Sequence, residues 1–214
     1  MPGITTLRSY IDHIVVTAPS LAIGVEYVRD AVGVTPQAGG EHPRMGTHNC
    51  LLRLGDALYL EVISINPAAA NPDRPRWFHL NRERSNAVPR LVTWISRTND
   101  IRAATAASTV PLGNVEAMSR GSLSWQITIP TDGDLPLDGV APTLIEWKAT
   151  IPRALSRISA AHWSDSKQTA AISNMLQTIG FQDEFHVFRI ARGERPHLVP
   201  HIETSAGLRK LCAA

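Results

Sequence analysis

The sequence predicts an α+β fold in which two tandem βαβββ modules close into a cup-shaped mixed sheet, followed by a C-terminal βαββ extension. Three observations lead there. A strand, a helix and further strands over residues 10–63 return in the same order one module later. The strand patterns are short and rich in β-branched residues. Turn residues separate the strands, Gly55-Asp56 in the first copy and Gly121, Gly133 and Gly139 in the second.

In the first copy, Tyr10 to Thr17 reads as a strand leading into Ala18-Pro19-Ser20. Ser20 is a helix N-cap, Leu21 to Val32 the helix, and Gly33 its stop. Pro36 to Gly40 reads as a loop. Asn49 to Leu54 and Leu58 to Ile63 are strands about the turn Gly55-Asp56. In the second copy, Arg90 to Arg97 is the first strand, and Thr98-Asn99-Asp100 caps an alanine-rich helix from Ile101 to about Ser108. Leu123 to Ile129 and Thr143 to Trp147 are its later strands. Superposing the caps Ser20-Leu21 and Asp100-Ile101 gives an offset of 80, which puts His13 on Thr93. Superposing Leu60-Glu61-Val62 on Ile145-Glu146-Trp147 gives 85, the difference falling in a longer second loop at Thr131 to Ala141.

The modules thus occupy about 8–66 and 88–150 of a unit 1–150, joined by the connector Pro67 to Pro89. Residues 151–214 form the extension, packed on the same domain. There Ala154 to Trp163 reads as a strand, and Asp165 or Ser166 caps a helix to about Ile179. Its apolar face is Ile172, Met175, Leu176 and Ile179. Phe185 to Ile190 and Leu198 to Ile202 read as a closing pair of strands that could cover a sheet edge.

Bulk properties exclude several classes. The 214 residues are 43% apolar and 19% charged, as in an ordinary globular protein. A net charge of +2 with scattered arginines excludes a generic nucleic-acid binder. No apolar run approaches the ~20 residues that cross a bilayer, and Met1 to Tyr10 shows no signal peptide. Cys50 and Cys212 form no metal-binding signature, and reduced thiols in a cytoplasmic protein are the simplest reading. Nucleotide-binding loops and nucleophile elbows are absent from the sequence.

Strand alternation places candidate chemistry on the concave side. Ile11, His13 and Val15 share one face, as do Tyr59, Glu61 and Ile63, and by the same reasoning Thr93 and Glu146. A carboxylate inside a hydrophobic strand is costly without a partner. Two glutamates at matching repeat positions invite one explanation, a divalent cation held by His13, Glu61 and Glu146. Each could instead lie near the mouth of the cup, solvated or paired with arginine.

Gly39 to Asn49 holds two histidines, an arginine and an asparagine among glycines, either as a binding loop or as a solvated one. His48 and Asn49, at the start of a strand, are the better candidates to point into the cup, with His42 at the rim. Arg120 is a candidate for an anionic or carbonyl group, or for a surface bridge. Trp94 and Trp125 are candidates for pocket walls or core, and Trp77-Phe78 for an exposed lid or interface.

Asp12-His13-Ile14-Val15-Val16, Gly46-Thr47-His48-Asn49, Leu60-Glu61-Val62-Ile63, Pro89 to Trp94 and Leu137 to Ile145 together resemble the glyoxalase-like domain of the vicinal-oxygen-chelate superfamily. The resemblance covers roughly residues 10–190 and implies paired modules around one site. It implies metal ligands at His13, Glu61 and Glu146, with Thr93 at a fourth place where metal-using relatives carry histidine, glutamate or glutamine. It further implies a lyase or isomerase in which Zn, Mn, Ni or Fe stabilises an enolate-like or alkoxide intermediate while Glu146 or Glu61 moves the proton. The alternative it implies is a metal-free binding or sequestration protein of the bleomycin-resistance type, lined by Trp94, Trp125, His48 and Asn49. The expected partner is a small molecule, with no nucleic acid and no membrane. A homodimer is the candidate assembly, with Trp77-Phe78 and the extension as its interface.

Overall fold

A computed structural model describes residues 6–56, 58–82, 87–148, 157–163, 166–189, 197–204 and 207–211. The first module comprises β1 (Ser9–Thr17), α1 (Leu21–Val32), β2 (Gln37–His42), β3 (Thr47–Arg53) and β4 (Tyr59–Ile65). The second comprises β5 (Arg90–Thr98), α2 (Ile101–Ala107), β6 (Asn114–Arg120), β7 (Leu123–Ile129) and β8 (Thr143–Trp147). Both are βαβββ units, and they join in one eight-stranded sheet of order β2-β3-β4-β1-β5-β8-β7-β6. Each half reads second, third, fourth, first strand from its outer edge inward, so a pseudo-twofold runs between β1 and β5. Within a module the first and last strands are parallel; β1 and β5 meet antiparallel.

Local chemistry sets the helix ends. Ser20 accepts from the Ile23 amide and Asp100 from the Ala103 amide, while Gly33 closes α1 in the left-handed conformation at φ 78. Two apolar clusters lie on opposite faces of the sheet. The convex one gathers Ile14, Val16, Leu60, Val62, Trp94 and Leu144 beneath the helices. The concave one gathers Val15, Ile63, Ile95, Trp125, Ile127 and Ile145, with Trp77 and Phe78 from the connector.

The structure corrects the reading of Pro36 to Gly40 as a loop, since β2 begins at Gln37. Its side chains are mostly exposed, so the alternation that betrays a half-buried strand is missing. Residues Asn114–Arg120, which the sequence pattern leaves unassigned, form the other edge strand. The two edges approach each other. A Cβ on Gly40 would lie 2.7 Å from Arg120 Cδ, and Arg44 Nη1 donates to the Ala117 carbonyl at 3.0 Å. The curled sheet therefore nearly closes.

In the C-terminal part, β9 (Arg157–Trp163), α3 (Ser166–Thr178) and β10 (Glu184–Arg189) form a parallel crossover, and β11 (His197–Leu198) pairs with the other side of β9. The expected closing pair of strands is thus split by β9, because a helical crossover returns β10 parallel to it. Ile202 falls in a separate hairpin of β12 (His201–Thr204) and β13 (Gly207–Lys210). Ala154, Asp165, Ile190 and Cys212 lie outside the described residues. Ile172, Met175, Leu176 and Ile179 join the convex core, as expected of one apolar face. Among the described residues no helix is long and apolar enough to cross a membrane.

Helix α1 seats on the sheet through Gly24, where a Cβ would fall 2.5 Å from Val62 Cγ1 and 2.7 Å from Ala18 Cβ. Both neighbours are short, buried side chains that have little room to yield. Gly24→Ala is expected to destabilise the protein by about 1–3 kcal/mol through overpacking, despite alanine's better helix propensity. Thermal unfolding should show Tm lowered by roughly 2–4 °C per kcal/mol.

Candidate functional site

The floor of the cup is a chain of buried polar side chains. His13 on β1 is 5% exposed, Glu61 on β4 6% and Asp12 1%. His13 Nδ1 meets Asp12 Oδ1 at 2.7 Å, and its Nε2 lies 3.5 Å from Glu61 Oε2. Neighbours on a strand ordinarily face opposite ways; a register shift between Ile11 and His13 in the β1–β5 ladder lets Asp12 and His13 interact. Asp12 Oδ2 accepts from Trp147 Nε1 at 3.0 Å. Asn49 Nδ2 donates to Glu61 Oε1, and Asn49 Oδ1 accepts from the Gly40 amide at 2.8 Å and Arg120 Nη1 at 3.3 Å. The network therefore runs from Asp12 through His13, Glu61 and Asn49 to Arg120.

Electrostatics follow from this packing. Burial pulls the His13 pKa down, but the hydrogen bonds and charges of Asp12 and Glu61 outweigh it and raise it to about 9. Burial pushes Glu61 up, yet its bond to His13 and the charges of the histidines bring it to about 2. The two form an internal ion pair at neutral pH. Tyr59, stacked on His13 at 4.4 Å between centroids, stays a neutral phenol because burial and then the Asp12 and Glu61 charges hold its pKa up. His42 is lowered by burial and is a neutral ring beside Thr47 Oγ1, 3.2 Å away.

Above this floor lies a cavity of about 40 Å3, lined by His13, Asn49, Glu61 and Arg120 and walled by His42, Trp77, Phe78, Trp125 and Trp147. Trp77 stacks on Phe78 at 5.3 Å, His42 meets Trp77 edge-on at 5.2 Å, and Trp125 leans on Trp147 at 5.4 Å. A second cleft of about 230 Å3, lined by Arg44, Met118 and Ser119, adjoins across His42 and Trp125.

The structure brings His13, Glu61, Asn49, Arg120 and Trp125 together and leaves other candidates elsewhere. Glu146 faces the convex side, where Oε2 accepts from the Ile101 amide at 2.8 Å at the start of α2 and Oε1 lies 3.3 Å from Lys148 Nζ. The 85-residue superposition matched glutamate to glutamate, but the ladders pair Val15 with Glu61 and Ile95 with Thr143. With Val15 on Ile95, Glu61 therefore corresponds to Thr143, an odd number of residues from Glu146 and so on the other face. Trp94 is likewise in the convex core, stacked on Phe185 at 4.9 Å and donating to the Val140 carbonyl at 2.8 Å. His48 alternates with Asn49 and does not line the cavity. Thr93 shares the cup side with Ile95 but is fully buried outside the lining.

His42 belongs to the cavity wall rather than the rim, and Trp77 and Phe78, each 5% exposed, are interior rather than an exposed pair. Sequence reasoning also missed Asp12, Tyr59 and Trp147. For Tyr59 the alternation with Glu61 already contained the signal, whereas placing Glu146 inward turned Trp147 away from the cup. For Asp12 the bulge that redirects it leaves none.

These donors do not fit a vicinal-oxygen-chelate cation. His13 Nε2 and Glu61 face each other, Asp12 is on the far side of the imidazole, and the second module offers Thr93, Ile95, Thr143 and Ile145. Among the described residues no three His, Cys, Asp or Glu side chains are grouped to hold a metal.

The ion pair has a measurable signature. The folded pKa of His13 lies above the unfolded value of 6.5, so its contribution to stability is full below pH 6.5 and disappears as pH rises through about 9. Urea unfolding should show stability declining across that window, and His13→Gln should flatten the decline.

The glyoxalase-like domain profile matches residues 11–179, extending into the C-terminal helix. No curated protein matches the chain. Among solved structures, a hypothetical protein from Staphylococcus aureus aligns with a TM-score of 0.59 at 15% identity, covering 89% of this chain and 88% of that one. A methylmalonyl-CoA epimerase of Streptomyces coelicolor in complex with 2-nitronate-propionyl-CoA aligns with a TM-score of 0.45 at 21% identity, over 65% of this chain and 97% of that one. The methylmalonyl-CoA epimerase of Mycobacterium tuberculosis gives 0.42 at 16%, over 64% and 85%. With its match spanning most of the sequence, the chain belongs to the glyoxalase-like domain family.

Proposed function

We propose that this protein binds a small molecule in the cup without a divalent cation, with the His13–Glu61 ion pair as a polar floor and aromatic side chains as walls. The observation that supports this most is the asymmetry of the two modules. The first supplies His13, Asn49 and Glu61 to the cavity; the second supplies Arg120, Ile127, Ile145 and two tryptophans. A ligand set needs donors from both sides, and Thr93 and Thr143 stand where the second pair would be.

A lyase or isomerase in which Glu61 or Glu146 moves a proton draws less support. A general base or acid works best with a pKa near the operating pH. Glu61 at about 2 is too weak a base, and His13 at about 9 is already charged and bonded on both nitrogens. Glu146 is on the other face of the sheet.

Tryptophan fluorescence, with three indoles around the cavity, reports binding directly. Protein purified without chelator would be titrated with a panel of small acids, amides, ketones and heterocycles. Removing metals with EDTA, or replacing Glu146→Gln, should leave Kd unchanged, whereas Asn49→Ala or Trp125→Ala should weaken it at least tenfold. A stoichiometric divalent ion whose removal abolishes binding would overturn the proposal.

A further inference from the structure

We propose that the connector segment 76–80 is a lid on the cup, latched shut by the hydrogen bond from the Leu135 amide to the His79 ring and released when that ring takes up a proton. The latch concerns the connector itself and does not depend on which molecule the cup receives. It rests on a strained backbone, a hydrogen bond with one possible direction, and the charges around them.

The lid has a reason to move. Trp77 and Phe78, each 5% exposed, wall a cavity of only about 40 Å3, space for roughly three water-sized groups. Anything larger enters only if this wall shifts. Phe78 and His79 hold φ of 56 and 59, a conformation that non-glycine residues adopt at a cost. The segment therefore stores strain that its anchors must outweigh.

Those anchors lie in the loop between β7 and β8. The His79 amide donates to the Gly133 carbonyl at 3.1 Å, Arg82 pairs with Asp134, and the Leu135 amide donates to His79 Nε2 at 3.0 Å. Loop and connector touch closely there, since a Cβ on Gly133 would lie 2.2 Å from the Arg76 carbonyl oxygen. Of the three anchors, only the last has an acceptor that titrates near neutral pH. A backbone amide can only donate, so Nε2 carries a lone pair and the ring is neutral. Protonation turns Nε2 from acceptor into donor. It then faces Asp134 Oδ1, 3.2 Å away, a carboxylate that Arg82 already engages. The Leu135 amide, in a residue only 8% exposed, loses its acceptor.

Surrounding charges set the direction. Burial lowers the His79 pKa from 6.5, Arg82 and Arg90 lower it further, and Asp134 and Asp138 offset them only in part. The closed lid thus disfavours the proton. Closure has its full support above pH 6.5 and weakens as pH falls through the lowered value. The His13–Glu61 pair beneath, at about 9 and about 2, keeps its charges across that window.

Residue-resolved amide hydrogen exchange of the full chain tests this, with each rate divided by the intrinsic rate at that pH. Between about pH 8 and about pH 5, protection of the His79, Leu80 and Leu135 amides should fall at least tenfold, while β1 and β4 hold theirs. His79→Gln, whose side-chain oxygen can accept from Leu135 without titrating, should keep the lid protected at both values. His79→Leu should leave it unprotected at both. The 15N shifts of the wild-type His79 ring should show Nε2 gaining its proton with the same midpoint as the loss of Leu135 protection, a comparison that needs no variant. Unchanged protection in the wild type, or two different midpoints, would overturn the latch. So would an equal fall in His79→Gln, which would assign the titration to another group such as His42, edge-on to Trp77. Simultaneous loss of protection in β1 and β4 would mean general unfolding rather than a lid, and would overturn it too.

Discussion

A charged imidazole buried inside a β-strand is the constraint around which this cup is organised. Taking His13 out of water costs several kcal/mol unless opposite charge and hydrogen bonds replace its hydration. The fold supplies both. The bulge in the β1–β5 ladder keeps Asp12 on Nδ1, and the parallel pairing of β1 with β4 brings Glu61 to Nε2. Each carboxylate then needs partners for its second oxygen, which Trp147 and Asn49 provide. Removing any one of these leaves another buried group unsatisfied, so the floor of the cup behaves as a unit.

The aromatic roof is a second, looser constraint. Trp77 and Phe78 enter from the connector between the modules, with Phe78 and His79 in the left-handed region at φ 56 and 59. Two consecutive non-glycine residues in that conformation are costly and persist because Trp77 and Phe78 bury their rings in the cup and Leu135 N donates to the His79 ring. The connector thereby does more than join two copies of a module. It narrows the space that the curled sheet encloses, and with it the size of any ligand.

The modules share a backbone plan and have diverged in what they present. Both place their first and last strands at the centre, both cap their helices with a short polar side chain, and both put apolar residues beneath the helices. The first turns His13 and Glu61 inward, whereas the second fills most of its half with isoleucine and tryptophan and spends Glu146 on the amide of Ile101. A duplicated fold thus carries a one-sided site, with Arg120 reaching across the seam as the second module's single charge in the cavity lining.

The sequence by itself determined the repeat, the fold class and the inward placement of His13 and Glu61, because alternation and capping are local signals that survive any tertiary arrangement. It also marked Asn49, Arg120 and Trp125. What it could not carry was the register of the second module. The superposition of Glu146 on Glu61 is out by three residues, an odd slip that reverses the face of every side chain, and only the ladder between β5 and β8 settles it. Trp94 was misplaced for a related reason, since a tryptophan on a strand suits either the cup or the core beneath the helices. The bulge at Asp12, the interior position of His42, and the folding of Trp77 and Phe78 into the cup depend on contacts between segments far apart in the chain. Those long-range contacts decided that a site resembling a metal cradle is an ion pair beneath an aromatic roof.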